Sequence, residues 1–381
     1  MNIPFVDLKA QFEALEDEIR VGIERVLAHG KFIMGPEIAE LERALAEFAG
    51  VEHAVTCSSG TDALLMPLMA WDIGSGDAVF TTAFSFVATA EVISLVGATP
   101  IFVDIDPRTF NIDAEKLSRA VTQVEREGKL RPRCIIPVDL FGLPAAHEEI
   151  AQVARSNGLK VLDDAAQAFG AEYNGRRMGS FGDACATSFF PAKPLGCYGD
   201  GGAVLTNSAE LAQVLRSIRV HGQGSHKYHN VRLGLNARMD TLQAAILLPK
   251  LRVFEAELER RQAVAQAYDE ALKDLVTTPL IPAGCRSAWA QYSILVDDRD
   301  ALAEHLREAG IPSAIYYQAP LYQMPVYRSL GYEKGACPEA EALCERILSL
   351  PMHPYLTAED QRRIVVAVAE SLGKRKLKTG S

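Results

Sequence analysis

The sequence has no apolar run approaching the roughly 20 residues that a helical membrane span requires. Its first residues, MNIPFVDLKAQF, lack the basic stretch followed by an apolar one that marks a secretory leader. The expectation is a cytoplasmic protein that meets no membrane. The seven cysteines, Cys57, Cys134, Cys185, Cys197, Cys285, Cys337 and Cys344, are odd in number and never spaced C-x-x-C. That argues against a disulfide framework or a zinc site and fits a reducing compartment, so no metal is expected. A basic excess is also missing: the net charge of −10 disfavours nucleic-acid binding driven by phosphate contacts. Internal repeats and low-complexity segments are absent. The stretch GSGDAV at 74–79 lacks a third glycine and precedes a strand-like run, so it reads as a turn and not as a nicotinamide-dinucleotide site.

What is there is ordinary globular material: 381 residues, 48% hydrophobic and 23% charged, long for one core. Leu8, Phe12, Leu15, Ile19, Ile23 and Leu27 recur at steps of three or four and predict an amphipathic helix over 7–28. Strand-like runs follow at 53–57, 78–82, 100–105, 134–142, 160–165, 185–190 and 203–207, the first five alternating with helical segments at 61–71, 87–96, 113–127 and 145–157. Such alternation predicts an α/β fold with a mostly parallel sheet covered on both faces. Only a Gly-rich loop separates the last two runs, too short for a helical crossover, so one strand is expected to be antiparallel. After Asp240 a long helical stretch is expected to break or kink at Pro249. Helical patterns at 299–309 and 357–371, and strand-like AQYSILV, predict a smaller α+β domain at 251–381 after a large domain at 1–250 with an N-terminal helical arm. The final KRKLKTGS reads as a frayed basic tail.

Three loops carry chemistry. CSSGTDALL places Gly60 and Thr61 where a helix begins, a phosphate cradle or an ordinary helix cap. VLDDAAQAFG ends a strand on Asp164, a cap or a ligand group, with Gln167 three residues on. SFFPAKPLGCYGDGGAV sets Lys193 among glycines behind Ser188; Pro194 restricts it, and a partly desolvated lysine forms Schiff bases. A lysine on a solvated loop is the plain alternative. Together these supply what a pyridoxal 5′-phosphate (PLP) site requires, with Phe86 of TTAFSFVATAE as the flat residue over the ring. From Leu211 to Met239 there is no Asp or Glu, while Arg216, Arg219, Lys227, Arg232 and Arg238 gather with His221, His226 and His229, which suggests a site for a small anion.

With PFVDLKAQ, HGKFIMGPEI, SSGTDALL, GATPIFVDIDPRTFNID, VLDDAAQAFGA, SFFPAKPLGCYGDGGAV, LGLNARMDTLQAAIL and LSLPMHPYL, the chain resembles, over nearly its whole length, the DegT/DnrJ/EryC/StrS sugar-nucleotide aminotransferase family of fold-type-I PLP enzymes. RVHGQ and DTLQAAILLPKL look most like the branch that aminates UDP-2-acetamido-2-deoxy-3-oxo-glucuronate for lipopolysaccharide O-antigen. The resemblance implies an aspartate aminotransferase-like fold with a mixed seven-stranded sheet, L-glutamate as donor and a homodimer with shared sites. By position it makes Lys193 the Schiff-base lysine, Asp164 the partner of the ring nitrogen, and Gln167 the contact of the ring hydroxyl. Phe86 would stack on the ring, and Gly60, Thr61 and Ser188 would hold the phosphate. Asn236 would reach the phosphate of the neighbouring subunit, with Arg238, His229, Tyr317 and His353 toward the sugar nucleotide. Tyr316-Tyr317 stands where the branch often has His-Tyr, and Asp139 where other members vary. A 4-keto-sugar substrate, a dehydratase, an amino-acid aminotransferase and a PLP-binding regulator are the rival readings. Lys193 opposes the dehydratases that carry histidine there, and no helix-turn-helix module supports a regulator.

Overall fold

The structure is a computed structural model that describes residues 3–373, so the basic tail at 374–381 lies outside the described residues. Seven strands form one sheet in the spatial order His53–Cys57, Gly202–Thr206, Ala184–Ser188, Lys160–Asp164, Arg131–Ile136, Asp77–Thr82, Thr99–Val103. Gly202–Thr206 runs antiparallel to both neighbours and the other pairs are parallel. This is the mixed, mostly parallel sheet that the alternation of patterns predicts. Asp77–Thr82, Ala184–Ser188 and Gly202–Thr206 are buried along their whole length. They are buried because helices cover both faces: one apolar cluster gathers Leu41, Phe169 and Phe254, the other Leu64, Val92 and Leu215.

Several elements differ from the sequence expectation. The strand expected over 134–142 ends at Ile136, and Leu140–Gly142 forms a tight 3-10 turn with Phe141 at φ 59°. The chain turns there because the Asp139 carboxylate accepts the Ala145 N–H at 2.7 Å, while the Asp139 N–H donates to the Asp164 carbonyl at 3.0 Å. The helix expected over 7–28 is two helices, Leu8–Ala14 and Glu16–His29. Leu15 breaks the run at φ −128°, and its side chain packs beside Ile19 and Ile246. Glu16, Asp17 and Glu18 then open the second helix where its dipole favours negative charge.

The helix Thr241–Leu272 passes through Pro249 without interruption. Proline removes one backbone donor, but every residue from Ala244 to Leu251 is buried, and that packing outweighs the missing bond. Residue 250 therefore falls within a helix. Beyond it, Val264, Tyr268 and Leu272 enter a separate apolar cluster with the antiparallel strands Tyr292–Leu295 and Ile347–Leu350 and the helices Arg299–Glu308 and Ala358–Ser371. The pattern reading also omitted the helices Pro36–Ala49, Ala209–Ile218 and Pro338–Arg346, the strand Ile347–Leu350, and the small sheet of Cys285–Arg286, Glu172–Tyr173 and Arg176–Arg177. Among the described residues no helix is long and apolar enough to cross a membrane, and the seven cysteines are free thiols.

Candidate active site

Because the strands at His53–Cys57, Lys160–Asp164 and Ala184–Ser188 point the same way, their C-terminal ends share one edge of the sheet. Ser59 ends the first loop and caps the helix Gly60–Ala70, its hydroxyl accepting the Asp62 N–H at 3.1 Å. The start of that helix lies against the end of the strand Ala184–Ser188: a Cβ added to Gly60 would lie 2.6 Å from the Ser188 Cβ. Thr61 sits half-buried on the same helix turn. Gly60 and Ser188 thus meet closely at a helix N-terminus, a setting that favours an anion.

Asp164 is buried at the end of its strand. Thr89 donates its hydroxyl to Asp164 Oδ2 at 2.7 Å, and the Ala166 N–H reaches Oδ1 at 3.2 Å. Burial pushes this carboxyl up, and those two donors and the Lys193 ammonium pull it back. In turn, burial pushes the Lys193 ammonium down and Asp164 opposes it. The carboxylate and the lysine therefore feel each other across the site. A desolvated carboxylate facing a lysine of weakened basicity suits a cation on one side and a carbonyl on the other.

Gln167 lies in a turn, not in a helix. Its carbonyl oxygen accepts the Phe141 N–H at 2.6 Å, and its amide donates to the Tyr317 hydroxyl at 3.1 Å. Tyr317 packs edge-on against Phe84 at 5.7 Å, and burial pushes its phenol up. Phe86, three residues before Thr89, keeps its ring open to solvent, 54% exposed. His353 is buried, and it borders one small cavity with Lys193, Asp7 and Arg261.

The remaining residues stay on their own loop. Arg238 Nε donates to the Asn236 amide oxygen at 3.1 Å, and His229 Nδ1 lies 3.0 Å from Ser225 Oγ while its ring stacks on His226. The acid-free stretch holds fewer available cations than its composition suggests. Arg219 is buried, with Nη1 at 2.6 Å from Glu42 and 2.8 Å from the Thr56 carbonyl, because it closes the end of the helix Ala209–Ile218 onto the first strand. It is a structural ion pair and is removed from the anion site.

Sequence reasoning missed Thr89, whose spacing from Phe86 was the available signal. It also missed the buried group of Asp139, His147 and Asp163, whose ligating atoms lie within 4.8 Å of one another. The residues present fit PLP: a helix start too close to Ser188 for a Cβ, a buried carboxylate held by Thr89, and a lysine with depressed basicity.

Residues 13–369 match the DegT/DnrJ/EryC1/StrS aminotransferase family. A relative from Pseudomonas aeruginosa, UDP-2-acetamido-2-deoxy-3-oxo-D-glucuronate aminotransferase, is 46% identical over 96% of this chain and 99% of its own. UDP-N-acetyl-3-dehydro-α-D-glucosamine 3-aminotransferase of Acidithiobacillus ferrooxidans is 43% identical over 97% and 98%. The crystal structure of a family aminotransferase from Brucella abortus superposes with a TM-score of 0.95 at 51% identity, over 98% of this chain and 100% of that one.

Proposed function

The chain belongs to the DegT/DnrJ/EryC1/StrS aminotransferase family, whose members depend on PLP, and we propose that it moves the amino group of L-glutamate to C3 of UDP-2-acetamido-2-deoxy-3-oxo-D-glucuronate. The observation that carries this reading is the facing pair of Lys193 and Asp164 in a chain so similar to an enzyme of that name. The product would serve 2,3-diamino-uronate synthesis for O-antigen, in the cytoplasm.

Bound PLP supplies an aldehyde that takes up the donor's amine and a ring that accepts electrons. Lys193 would hold that aldehyde until the donor arrives, and its basicity, lowered by burial, would suit it to accept the proton of the donor's Cα. Asp164 keeps the ring nitrogen protonated, and Thr89 holds the carboxylate in place. Gln167 positions the ring hydroxyl, Phe86 covers the ring face, and Gly60, Thr61 and Ser188 take the phosphate. Arg238, with His229, Tyr317 and His353 around it, meets the charged sugar nucleotide.

The assembly we infer is a homodimer in which Asn236 completes the neighbouring site. Its support is apolar surface left open by a single chain: Phe32, Ile33 and Met34 are exposed, and Leu233 is 87% exposed.

A visible spectrum tests the reading. The cofactor band of the purified protein should bleach with glutamate and return with the 3-oxo-glucuronate, and Lys193→Ala should lack it. Recovery only with a 4-keto sugar would move the substrate within the family; no Lys193-dependent band would remove the assigned role of Lys193.

A further inference from the structure

On the far side of the strand that ends at Asp164, three ionisable side chains are sealed together. Asp163 precedes Asp164, and strand alternation sends the two carboxylates to opposite faces. Asp139 enters from the turn after Arg131–Ile136, and His147 from the first turn of the helix His147–Asn157. All three are buried. His147 Nε2 lies 2.9 Å from Asp139 Oδ1 and 3.8 Å from Asp163 Oδ1. Asp139 Oδ2 and both Asp163 oxygens find no hydrogen-bond partner unless a proton sits between them. The group is joined to the active-site strand by the Asp139 N–H, which donates to the Asp164 carbonyl at 3.0 Å.

Two unneutralised carboxylates at such depth are far more costly than the fold can sustain. One proton on Asp163, shared toward the free oxygen of Asp139, pairs the orphaned atoms. Burial, and then Asp139, push the Asp163 carboxyl well above the ordinary range, which agrees with that placement. The Asp139 charge is still left, immediately behind Asp164, and it adds to the burial that already disfavours the ionised form there. We propose that His147 is held as an imidazolium that neutralises Asp139, and that it is thereby a positioning residue which keeps Asp164 ionised for the cofactor's ring nitrogen. This rests on the assignment of Asp164 given above.

The surroundings of the ring are consistent with a built pair. Phe181 stacks on His147 at 4.6 Å, with the Arg176 guanidinium over Phe181 and the Tyr173 ring edge-on at 5.9 Å. Cys185 is the ionisable neighbour of Asp163 from the next strand, and Lys193 that of Asp164. Glu148 and Glu149 follow on the ring's own helix. Arg155 and Asp183 border the open cleft beside it. With Asp163 protonated, Asp139 at 2.9 Å is the close charge, and it calls for a cation.

The test uses the pH dependence of the cofactor's visible band in the holoenzyme. In His147→Gln the midpoint of that band should move up by about one unit or more, because a ring nitrogen that has lost its proton no longer draws charge from the Lys193 linkage. The double variant Asp139→Asn with His147→Gln removes both charges and should return the midpoint toward that of the parent. Independently, ¹⁵N NMR of the apoprotein at neutral pH should show both ring nitrogens of His147 protonated, identified as the signals lost in His147→Gln. An unmoved midpoint, a double variant no closer to the parent than the single one, or a neutral His147 ring would each overturn the proposal. So would an equimolar divalent metal ion bound at these side chains in the purified protein. Failure of the underlying PLP site is recognisable separately as the absence of any band, while the NMR reading does not depend on the cofactor.

Discussion

Gly60 and Ser188 stand so close that no methyl group fits between them: a Cβ on Gly60 would lie 2.6 Å from the Ser188 Cβ and 3.0 Å from its Oγ. Gly60 opens its helix with no positive φ, so the need for glycine here is close approach and not backbone strain. Gly60→Ala should therefore push Ser188 away from the helix N-terminus and spoil the cradle. The expected result is PLP affinity weakened by about tenfold to a hundredfold, or roughly 1.4–2.8 kcal/mol. Titrating the apoprotein with PLP by absorbance measures it; unchanged affinity would place the phosphate elsewhere.

The ion pair between buried Arg219 and partly buried Glu42 supports a prediction about stability alone. Glu42 also accepts from the Thr56 N–H at 3.0 Å and the Thr56 hydroxyl at 2.9 Å, so one carboxylate ties two helices to the first strand. Arg219→Ala leaves that carboxylate without its cation and should lower stability by about 3 kcal/mol. The urea midpoint should fall while the KM for the sugar nucleotide stays within about twofold of the parent's, a change worth under half a kcal/mol. A raised KM at unchanged stability would return Arg219 to the anion site.

The sheet was legible because buried parallel strands are short apolar runs with helix-length spacers, and the Gly-rich loop after Ser188 announced the one antiparallel strand. Boundaries were less legible where tertiary contacts decide them. Leu15 divides a run whose spacing looks continuous, and Pro249 fails to divide one whose composition looks interrupted, since in both cases packing against the other segment prevails. In the site, Lys193 and Asp164 stood out by their setting, a lysine before proline among glycines and a carboxylate at a strand end. Arg219 misled because a cation's value depends on its partner, and Glu42 is 177 residues away in sequence. The Asp139 and His147 pair was illegible for a different reason: the two are only eight residues apart, but the turn at Leu140–Gly142 that brings them together replaces a stretch that reads as continuous strand.

His353 sets a pH limit. Burial lowers its imidazole from an ordinary value to about 4, although Asp7 and the Pro4 backbone favour the charged ring. The unfolded chain takes up a proton near pH 6.5 that the folded one refuses until about pH 4. Stability should therefore be complete above pH 6.5, fall as the pH drops from there to 4, and lose no more from this group below that. The loss attributable to His353 is about 3 kcal/mol. His353→Phe should flatten the stability profile across that window; a profile parallel to the parent's would show that the ring takes up its proton in the fold as readily as in the unfolded chain.

Arg238 differs from Arg219 in what surrounds it. It is half-buried, and its side-chain partner is the neutral Asn236 amide, not a carboxylate. A guanidinium already oriented by a neutral acceptor keeps its charge and its remaining N–H donors for an anion, and its planar fork matches a carboxylate or a phosphate with two parallel bonds. A nucleoside diphosphate sugar acid offers both. Arg238→Ala should raise the sugar-nucleotide KM by about tenfold to a hundredfold, from the roughly 1.5–3 kcal/mol of a charged hydrogen bond. Arg238→Lys should recover only part of this, since an ammonium is a point charge without the fork. PLP affinity and the glutamate half-reaction should remain close to the parent's. If glutamate's KM rises instead, Arg238 serves the donor carboxylate, and the nucleotide must be held by other cations of the same stretch, of which Lys227 and Arg232 are exposed.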